Sequence, residues 1–165
     1  MNRFAALIAG SWLGMQIMAG YVAAPILFKS LDRVPAGDIA GKLFTVVGYY
    51  GLAAWFLVYA VARIQSRSKK PQRWIALQIV LLGINQLAVT PVIETVKQGQ
   101  HHPLLAISNL FISPSNQADA LTEFAFWHGL SSLIYMATSV LGLLLLSVFL
   151  RLGFGDKKTR SPEAI

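Results

Sequence analysis

The sequence predicts an all-α fold, a four-helix bundle embedded in a membrane. Of its 165 residues, 55% are hydrophobic and only 13% are charged, whereas about 25% of the residues of a soluble domain are charged. Each of four apolar runs is long enough to cross a hydrocarbon core of about 30 Å as a helix. These runs cover residues 4–28, 43–62, 74–96 and 121–150.

The four runs make up one predicted domain over residues 1–152, followed by a short polar tail over residues 153–165 that we expect to be disordered. The run at residues 4–28 is longer than the apolar region of a cleaved signal peptide, which has about 7–15 residues. We therefore expect it to be retained as the first membrane helix. The chain has no cysteine, which excludes disulfides and thiolate metal sites.

The connection between the second and third runs is basic and short. It contains five basic residues and no acid: Arg63, Arg67, Lys69, Lys70 and Arg73. Short loops rich in Lys and Arg stay on the cytoplasmic side. With the amino terminus inside, ten of the fourteen Lys and Arg residues lie on that side. The sequence therefore predicts that both termini lie in the cytoplasm. We expect a chain this compact to belong to a bacterial inner membrane.

The net charge of +7 points to lipid rather than to nucleic acid as the partner. The positive residues cluster at the predicted helix ends and in the tail, where anionic head groups would meet them. We expect the lipid bilayer to be the main partner, together with a second copy of the chain or a partner membrane subunit.

Counting about 1.5 Å of rise per residue assigns depths to the polar residues of the runs. The midplane holds uncharged side chains, and the ionisable ones lie at or just beyond the outer boundary. Proton-coupled pumps usually carry an ionisable group at mid-membrane, so this pattern does not favour one. The candidate polar track and outer-rim cluster comprise Gln16, Asn85, Gln86, Thr90, Glu94, His128 and Lys29.

On the third helix, Gly83, Gln86, Thr90 and Glu94 fall on one face at helical spacing. Such a stripe forms hydrogen bonds between helices, typically worth about 0.6 kcal/mol each, or it lines a path for a solute or ion. The sequence is compatible with both roles, interhelical hydrogen bonding and a path for a solute or ion.

Pro25 and Pro91 each lie toward the outer end of an odd-numbered helix. A proline removes one backbone donor and frees the carbonyl a turn earlier, here near Tyr21 and Leu87. We predict helix kinks at both prolines. Their paired placement also suggests two related helical hairpins, as in transporters built from repeats, although simple kinks are the favoured interpretation.

Gly10 and Gly14 have the small-xxx-small spacing that lets two helix backbones approach closely. We predict that they pack helices within the bundle. A homodimer face and a functional close approach are the alternatives.

His128 has several possible roles: it could pair with Glu94 or Glu123, orient a substrate, or ligate a metal. A lone histidine beside a tryptophan is more often an interfacial hydrogen-bonding residue. We predict no catalytic, cofactor-binding or metal-binding residues.

Short motifs follow one another along the chain: Trp12-Leu13-Gly14, Ala24-Pro25-Ile26-Leu27-Phe28, Ala40-Gly41-Lys42-Leu43-Phe44, Thr90-Pro91, and Phe124, His128, Gly129 and Ser131. Because these motifs occur in this order, the chain resembles the transmembrane protein 205 family, whose domain is of uncharacterised function. The resemblance covers roughly residues 4–150 and implies a four-helix integral membrane protein.

From the sequence we expect a small multipass membrane protein with an accessory or structural role, and no enzymatic activity. The first alternative is a permease or channel-like carrier for a small polar solute or metal ion. It would use the stripe from Gln86 to Glu94 under an outer gate of Lys29 and His128. The second alternative is a membrane protein that handles a metal or haem.

Overall fold

The computed structural model describes residues 2–65, 69–100, 102–108, 110–112 and 120–155. In this part of the chain every regular element is helical. In chain order the elements are α1 (Asn2–Ile17), π1 (Met18–Ala23), α2 (Ala24–Ser30), α3 (Arg33–Gln65), α4 (Lys69–Ile84), π2 (Asn85–Val89), α5 (Thr90–Lys97), α6 (Leu105–Ser108) and α7 (Ala120–Gly155). The elements π1 and π2 are π-helical turns, in which a backbone N–H bonds to the carbonyl five residues earlier.

Four helical stretches are long and apolar enough to cross a membrane: Arg3–Ser30, Arg33–Ile64, Gln72–Lys97 and Leu121–Leu150. The first comprises most of α1, all of π1 and α2, and the third comprises most of α4, all of π2 and α5. The prediction of an all-α chain with four such helices is confirmed, and it indicates a membrane protein.

The second long helix starts earlier than the apolar run from which it was predicted. α3 begins at Arg33, whereas the predicted span begins at residue 43. The Ala36 N–H donates to the Asp32 carbonyl oxygen at 3.0 Å, and Pro35 is tolerated because it lies in the first turn. The predicted span was drawn from the apolar run alone. Polar residues that extend the helix beyond that run do not raise its hydropathy, so the earlier start was not predicted.

The chain divides into two compact units, with Met1–Ile79 and Ser139–Ile165 in unit 1 and Val80–Thr138 in unit 2. The core of unit 1 is built around Trp12, which is fully buried. Its ring packs edge-to-face on Trp55, with centroids 5.6 Å apart. The backbones of Gly51 on α3 and Gly142 on α7 both approach the same indole. Trp12 therefore joins α1, α3 and α7.

Polar contacts add to this packing in unit 1. Ser11 Oγ on α1 lies 2.7 Å from the Tyr50 hydroxyl on α3, and both residues are exposed. Gln72 on α4 is buried, and its Nε2 donates to the Ala62 carbonyl of α3 at 3.4 Å. This last bond connects the two helices on either side of the basic connection.

Unit 2 has its own apolar cluster. Its buried members are Val89, Val92, Ile93, Val96, Leu105 and Trp127. The cluster covers one side of α5 with residues of α6 and the first turns of α7. The ring of Phe111 also stacks on Phe126, with centroids 5.7 Å apart.

Two predicted features lie outside the described part of the chain: the middle of the basic connection at residues 66–68, and the polar tail from residue 156 onward. Residues 153–155, the first three of the predicted tail, belong to α7.

Candidate polar site at the π-helical turns

Both proline-containing helices have a π-helical turn at the same place relative to the proline. π1 ends at Ala23, two residues before Pro25, and π2 ends at Val89, two residues before Pro91. The backbone stays right-handed helical across both junctions, with φ −67° and ψ −48° at Ala23 and φ −72° and ψ −45° at Val89. The chain therefore accommodates each proline by widening the preceding turn.

The hydrogen-bond shift is identical in the two turns. The N–H of Ala24 donates to the Ala19 carbonyl, and the N–H of Thr90 donates to the Asn85 carbonyl. Donor and acceptor are five residues apart in both cases, and both donors immediately precede a proline. The two helices thus share the same change in backbone hydrogen bonding before a proline. This similarity fits the paired hairpins considered from the sequence.

Each shift leaves two successive carbonyls without their α-helical donors. In π2 the Thr90 N–H, which an α-helix would direct to Gln86, bonds to Asn85 instead. Pro91 has no N–H for the Leu87 carbonyl. By the same reasoning, Gly20 and Tyr21 lose their α-helical donors in the first helix. Within a bilayer such groups must find other partners, since each unsatisfied one costs several kcal/mol.

Apart from the exposed Tyr21, the side chains of π1 are apolar, and the nearest amide already has a hydrogen-bond partner. Ala19 is buried. Gln16, one turn earlier on α1, is 1% exposed, and its Nε2 donates to Ser139 Oγ on α7 at 2.6 Å. Gln16, the 14th of the 28 residues of its span, thus acts as a buried hydrogen-bonding residue between two helices.

Two of the five side chains of π2, Asn85 and Gln86, are polar, and the Asn85 oxygen is not satisfied. Asn85 Oδ1 is buried, and no described residue donates a hydrogen bond to it. Gln86 is 5% exposed, and Thr90 Oγ1 donates to the Asn85 backbone carbonyl at 2.9 Å. Beside Gly83 there is open space, with no heavy atom within 4 Å of the position that a Cβ would occupy. The predicted stripe therefore runs from half-exposed Gly83 to buried Gln86.

The predicted rim residues are accessible, and one of them, Glu94, ends the stripe. Glu94 Oε1 accepts from Lys97 Nζ at 3.2 Å, and both residues are exposed. The His128 ring stacks on Phe124, with centroids 5.5 Å apart and planes inclined by 10°. Lys29, in the last turn of α2, is exposed. Polar character thus continues from buried Gln86 to exposed Glu94 along one helix.

The two glycines predicted to pack helices differ. Gly10 faces Leu146 of α7, whose Cδ1 lies 3.8 Å from the position that a Cβ would occupy, an ordinary packing distance. Gly14 is exposed and has no such neighbour within 4 Å. Gly10 therefore packs within unit 1, and Gly14 leaves a small-residue notch on the surface of α1.

Two features of these units were missed by the sequence reasoning. The glycine contacts of Trp12 bring together residues that are far apart in sequence, and no local pattern marks them. The π-helical geometry is not marked either, because the N–H of a residue before a proline can bond to the carbonyl four or five residues back. Within the described residues, no group of three or more His, Asp or Glu side chains could hold a metal ion.

Comparison with known proteins places these features within a family. The family model for DUF4149, a domain of unknown function, matches residues 7–102. The chain belongs to the DUF4149 family. The match includes most of α1, all of π1, the Trp12 contact with Gly51, and the whole of π2 with Pro91. Neither curated proteins nor solved structures give a match to the chain.

Proposed function

We propose that this DUF4149 protein is a small carrier of the bacterial inner membrane, which lets a small polar solute or ion cross the bilayer by way of the polar stripe on α4, π2 and α5. The observation that carries the proposal is the π2 turn. Asn85 is the 14th of the 26 residues of its span, so the turn lies near mid-membrane. Its side-chain oxygen is buried, without a hydrogen-bond donor among the described residues.

The energetic argument is that bilayer-embedded backbone is regular unless it lines a cavity or is buried in protein. π-helical turns within α-helices are frequent at functional sites. Transporters use interrupted helices to present backbone groups to substrates near the midplane. An interrupted helix with a buried, unsatisfied amide oxygen fits that use, and the exposed end of the stripe at Glu94 supplies an entry.

Flux into proteoliposomes tests the proposal. Vesicles containing the purified protein should take up at least one member of a panel of small polar solutes and ions faster than empty vesicles. Asn85→Leu should abolish the difference. Gln16→Leu is the matched control, because it removes the mid-span amide of unit 1, which already has a partner, and it should leave the flux per folded molecule unchanged. Equal flux in wild type and Asn85→Leu would contradict the proposal.

The orientation forms part of the same proposal, with both termini and the basic connection in the cytoplasm. The chain has no cysteine, so single cysteines can be introduced without a background. In intact spheroplasts, Lys97→Cys should react with a membrane-impermeant maleimide, and Arg63→Cys should react only after lysis. The opposite pattern would overturn the orientation.

The accessory or structural role remains a second candidate, because Gly14 leaves an open notch on α1. A second copy of the chain, or a partner subunit, could pack there with a close helix crossing. Gly14→Leu should then shift the protein toward monomer in mild detergent. Met18→Leu, a volume-conserving change at an exposed position, is the control. A strictly monomeric wild type that purifies without a partner would contradict this role.

The resemblance to the transmembrane protein 205 family belongs to this proposal as well. It agrees with a four-helix membrane bundle and adds no substrate.

A further inference from the structure

The connection between α5 and α7 contains an apolar segment, residues 103–112, which includes α6. No Asp, Glu, Lys or Arg lies between Lys97 and Asp119 in the sequence. The segment is too short to cross a bilayer, because a spanning helix needs about 17–25 residues. Its apolar composition therefore requires an explanation other than a fifth span.

One side of the apolar segment packs on the helices of unit 2. Leu105 is buried in the apolar cluster that contains Val92 and Trp127, and Leu104 packs against the same cluster. Val92 lies five residues before Lys97, the last residue of its membrane span. At 1.5 Å of rise per residue, this places Val92 about 8 Å inside the end of the span. The cluster therefore holds the segment at the level of the last turns of α5.

The other side of the apolar segment is exposed, although its side chains are large and hydrophobic. Ile107 is 44% exposed, Leu110 79% and Phe111 72%. Ile107 and Leu110 belong to one turn, because the Leu110 N–H donates to the Ile107 carbonyl at 3.2 Å. The Phe111 ring stacks on Phe126 of α7, which holds this part of the segment against the helix. The segment thus has one side on protein and one apolar side facing outward.

The backbone N–H groups of the segment find local partners. Those of Leu105, Ala106 and Ile107 donate to carbonyls three residues earlier, at 3.0, 3.4 and 3.0 Å. The Leu104 N–H donates to His102 Nδ1 at 3.2 Å. Backbone that enters a bilayer must satisfy its polar groups internally, because lipid offers no partners. These turns meet that requirement for the N–H groups named.

We propose that residues 103–112 form an interfacial anchor, which inserts Ile107, Leu110 and Phe111 into the leaflet in which α5 ends. The apolar faces of interfacial helices lie about 5–10 Å into the boundary between head groups and acyl chains, and the depth of Val92 agrees with that range. The exposed side is continuous with the membrane spans and carries no charge, which favours lipid as its partner. The anchor holds the adjoining ends of α5 and α7 at a fixed depth. This inference goes beyond the proposed carrier function and does not rest on it.

Site-directed spin labelling in lipid nanodiscs with one copy of the protein per disc tests the anchor. The chain has no cysteine, so Leu110→Cys carries a single nitroxide at an exposed position. Oxygen concentrates in hydrocarbon, whereas a water-soluble nickel chelate stays outside it. The Leu110→Cys label should be more accessible to oxygen than to the chelate, as should Leu133→Cys, a lipid reference that is 66% exposed in the span of α7. Gln100→Cys, an exposed polar reference before the segment, should show the reverse.

A second pair of variants places the label at Ile107→Cys. Leu110→Glu combined with Phe111→Glu should reverse the accessibility ratio in favour of the nickel chelate, because charged side chains are costly in hydrocarbon. Leu110→Met combined with Phe111→Leu keeps both side chains apolar and should leave the ratio in favour of oxygen.

Three results would overturn the anchor. Greater access of the chelate than of oxygen at Leu110→Cys would mean that the segment lies in water. Shielding of that label from both reagents would mean that protein covers it. An unchanged ratio at Ile107→Cys in the double glutamate variant would mean that the exposed side chains do not hold the segment in lipid. None of these results depends on solute flux, so the anchor and the carrier function stand or fall separately.

Discussion

Replacing Gly51 by alanine should destabilise unit 1 by about 1–3 kcal/mol, the usual cost of overpacking a well-packed core. A Cβ at this position would overlap Trp12 Nε1 and would lie 2.8 Å from Trp12 Cδ1. Ordinary van der Waals contacts of a Cβ lie at 3.4–4 Å. The indole and the backbone of α3 would therefore have to move apart.

The indole has little freedom to make that shift. Its six-membered ring is held from α7, where a Cβ at Gly142 would lie 2.7 Å from Cζ3. The indole also packs edge-to-face on Trp55. Because Gly51 confines the five-membered ring and Gly142 confines the six-membered ring, a displacement away from one presses on other neighbours. This places the expected cost toward the upper part of the range.

Reversible unfolding in mixed detergent micelles, followed by far-UV circular dichroism, measures this cost. Gly14→Ala and Gly83→Ala are the controls, because neither new methyl group has a heavy atom within 4 Å. Both should be neutral or slightly stabilising, by at most about 1 kcal/mol, from the higher helix propensity of alanine. If Gly51→Ala is as stable as these controls, the packing account of unit 1 is refuted.

A double-mutant cycle with Trp12→Leu identifies the partner. If the clash is with the indole, Gly51→Ala should cost much less in the Trp12→Leu background, giving a coupling energy of about 1 kcal/mol or more. Additive effects would mean that the methyl group clashes elsewhere.

Three further predictions concern the polar groups. Ser139→Ala should lower the free energy of unfolding by about 1–3 kcal/mol, because the buried Gln16 amide loses its 2.6 Å acceptor; an unchanged value would mean that the bond contributes nothing. Tyr50→Phe should cost only about 0.6 kcal/mol, the average for a hydrogen bond between membrane helices, and a loss above about 2 kcal/mol would contradict a simple surface contact. Glu94→Gln and His128→Ala should each reduce solute uptake by proteoliposomes while leaving thermal unfolding intact, because Glu94 is the exposed end of the stripe and the carrier proposal makes His128 part of the gate; unchanged uptake in both would remove them from the path.

The sequence predicts the membrane helices well because bilayer thickness sets a minimum length for each apolar run. It predicts less well where a helix leaves the membrane, since polar residues from Arg33 onward are as compatible with a helix as with a loop. Only the structure shows that α3 begins at Arg33.

The candidate site was predicted in part. The loss of a backbone donor at Pro25 and Pro91, and the freed carbonyls at Tyr21 and Leu87, follow from the chemistry of proline. The π-helical bonding at Ala24 and Thr90 does not, because an N–H beside a proline can bond four or five residues back. That choice depends on the packing of the surrounding helix.

The different roles of Gln16 and Asn85 could not be read from the sequence either. Both are neutral amides at the middle of an apolar span. Gln16 finds its acceptor on Ser139, more than a hundred positions away, and such a pairing leaves no local signal. Asn85 Oδ1 lies buried without a donor among the described residues, and the Thr90 hydroxyl donates to the Asn85 backbone carbonyl instead.

The most direct test of the carrier account is ion and solute flux through Pro91→Ala compared with Pro25→Ala, each reconstituted at equal protein density. The two substitutions are chemically identical, and each restores one backbone donor to a helix with a π turn. The account predicts that flux is lost in Pro91→Ala and kept in Pro25→Ala, because the polar stripe and the buried Asn85 oxygen belong to the helix that contains π2. Wild-type flux in Pro91→Ala would contradict it.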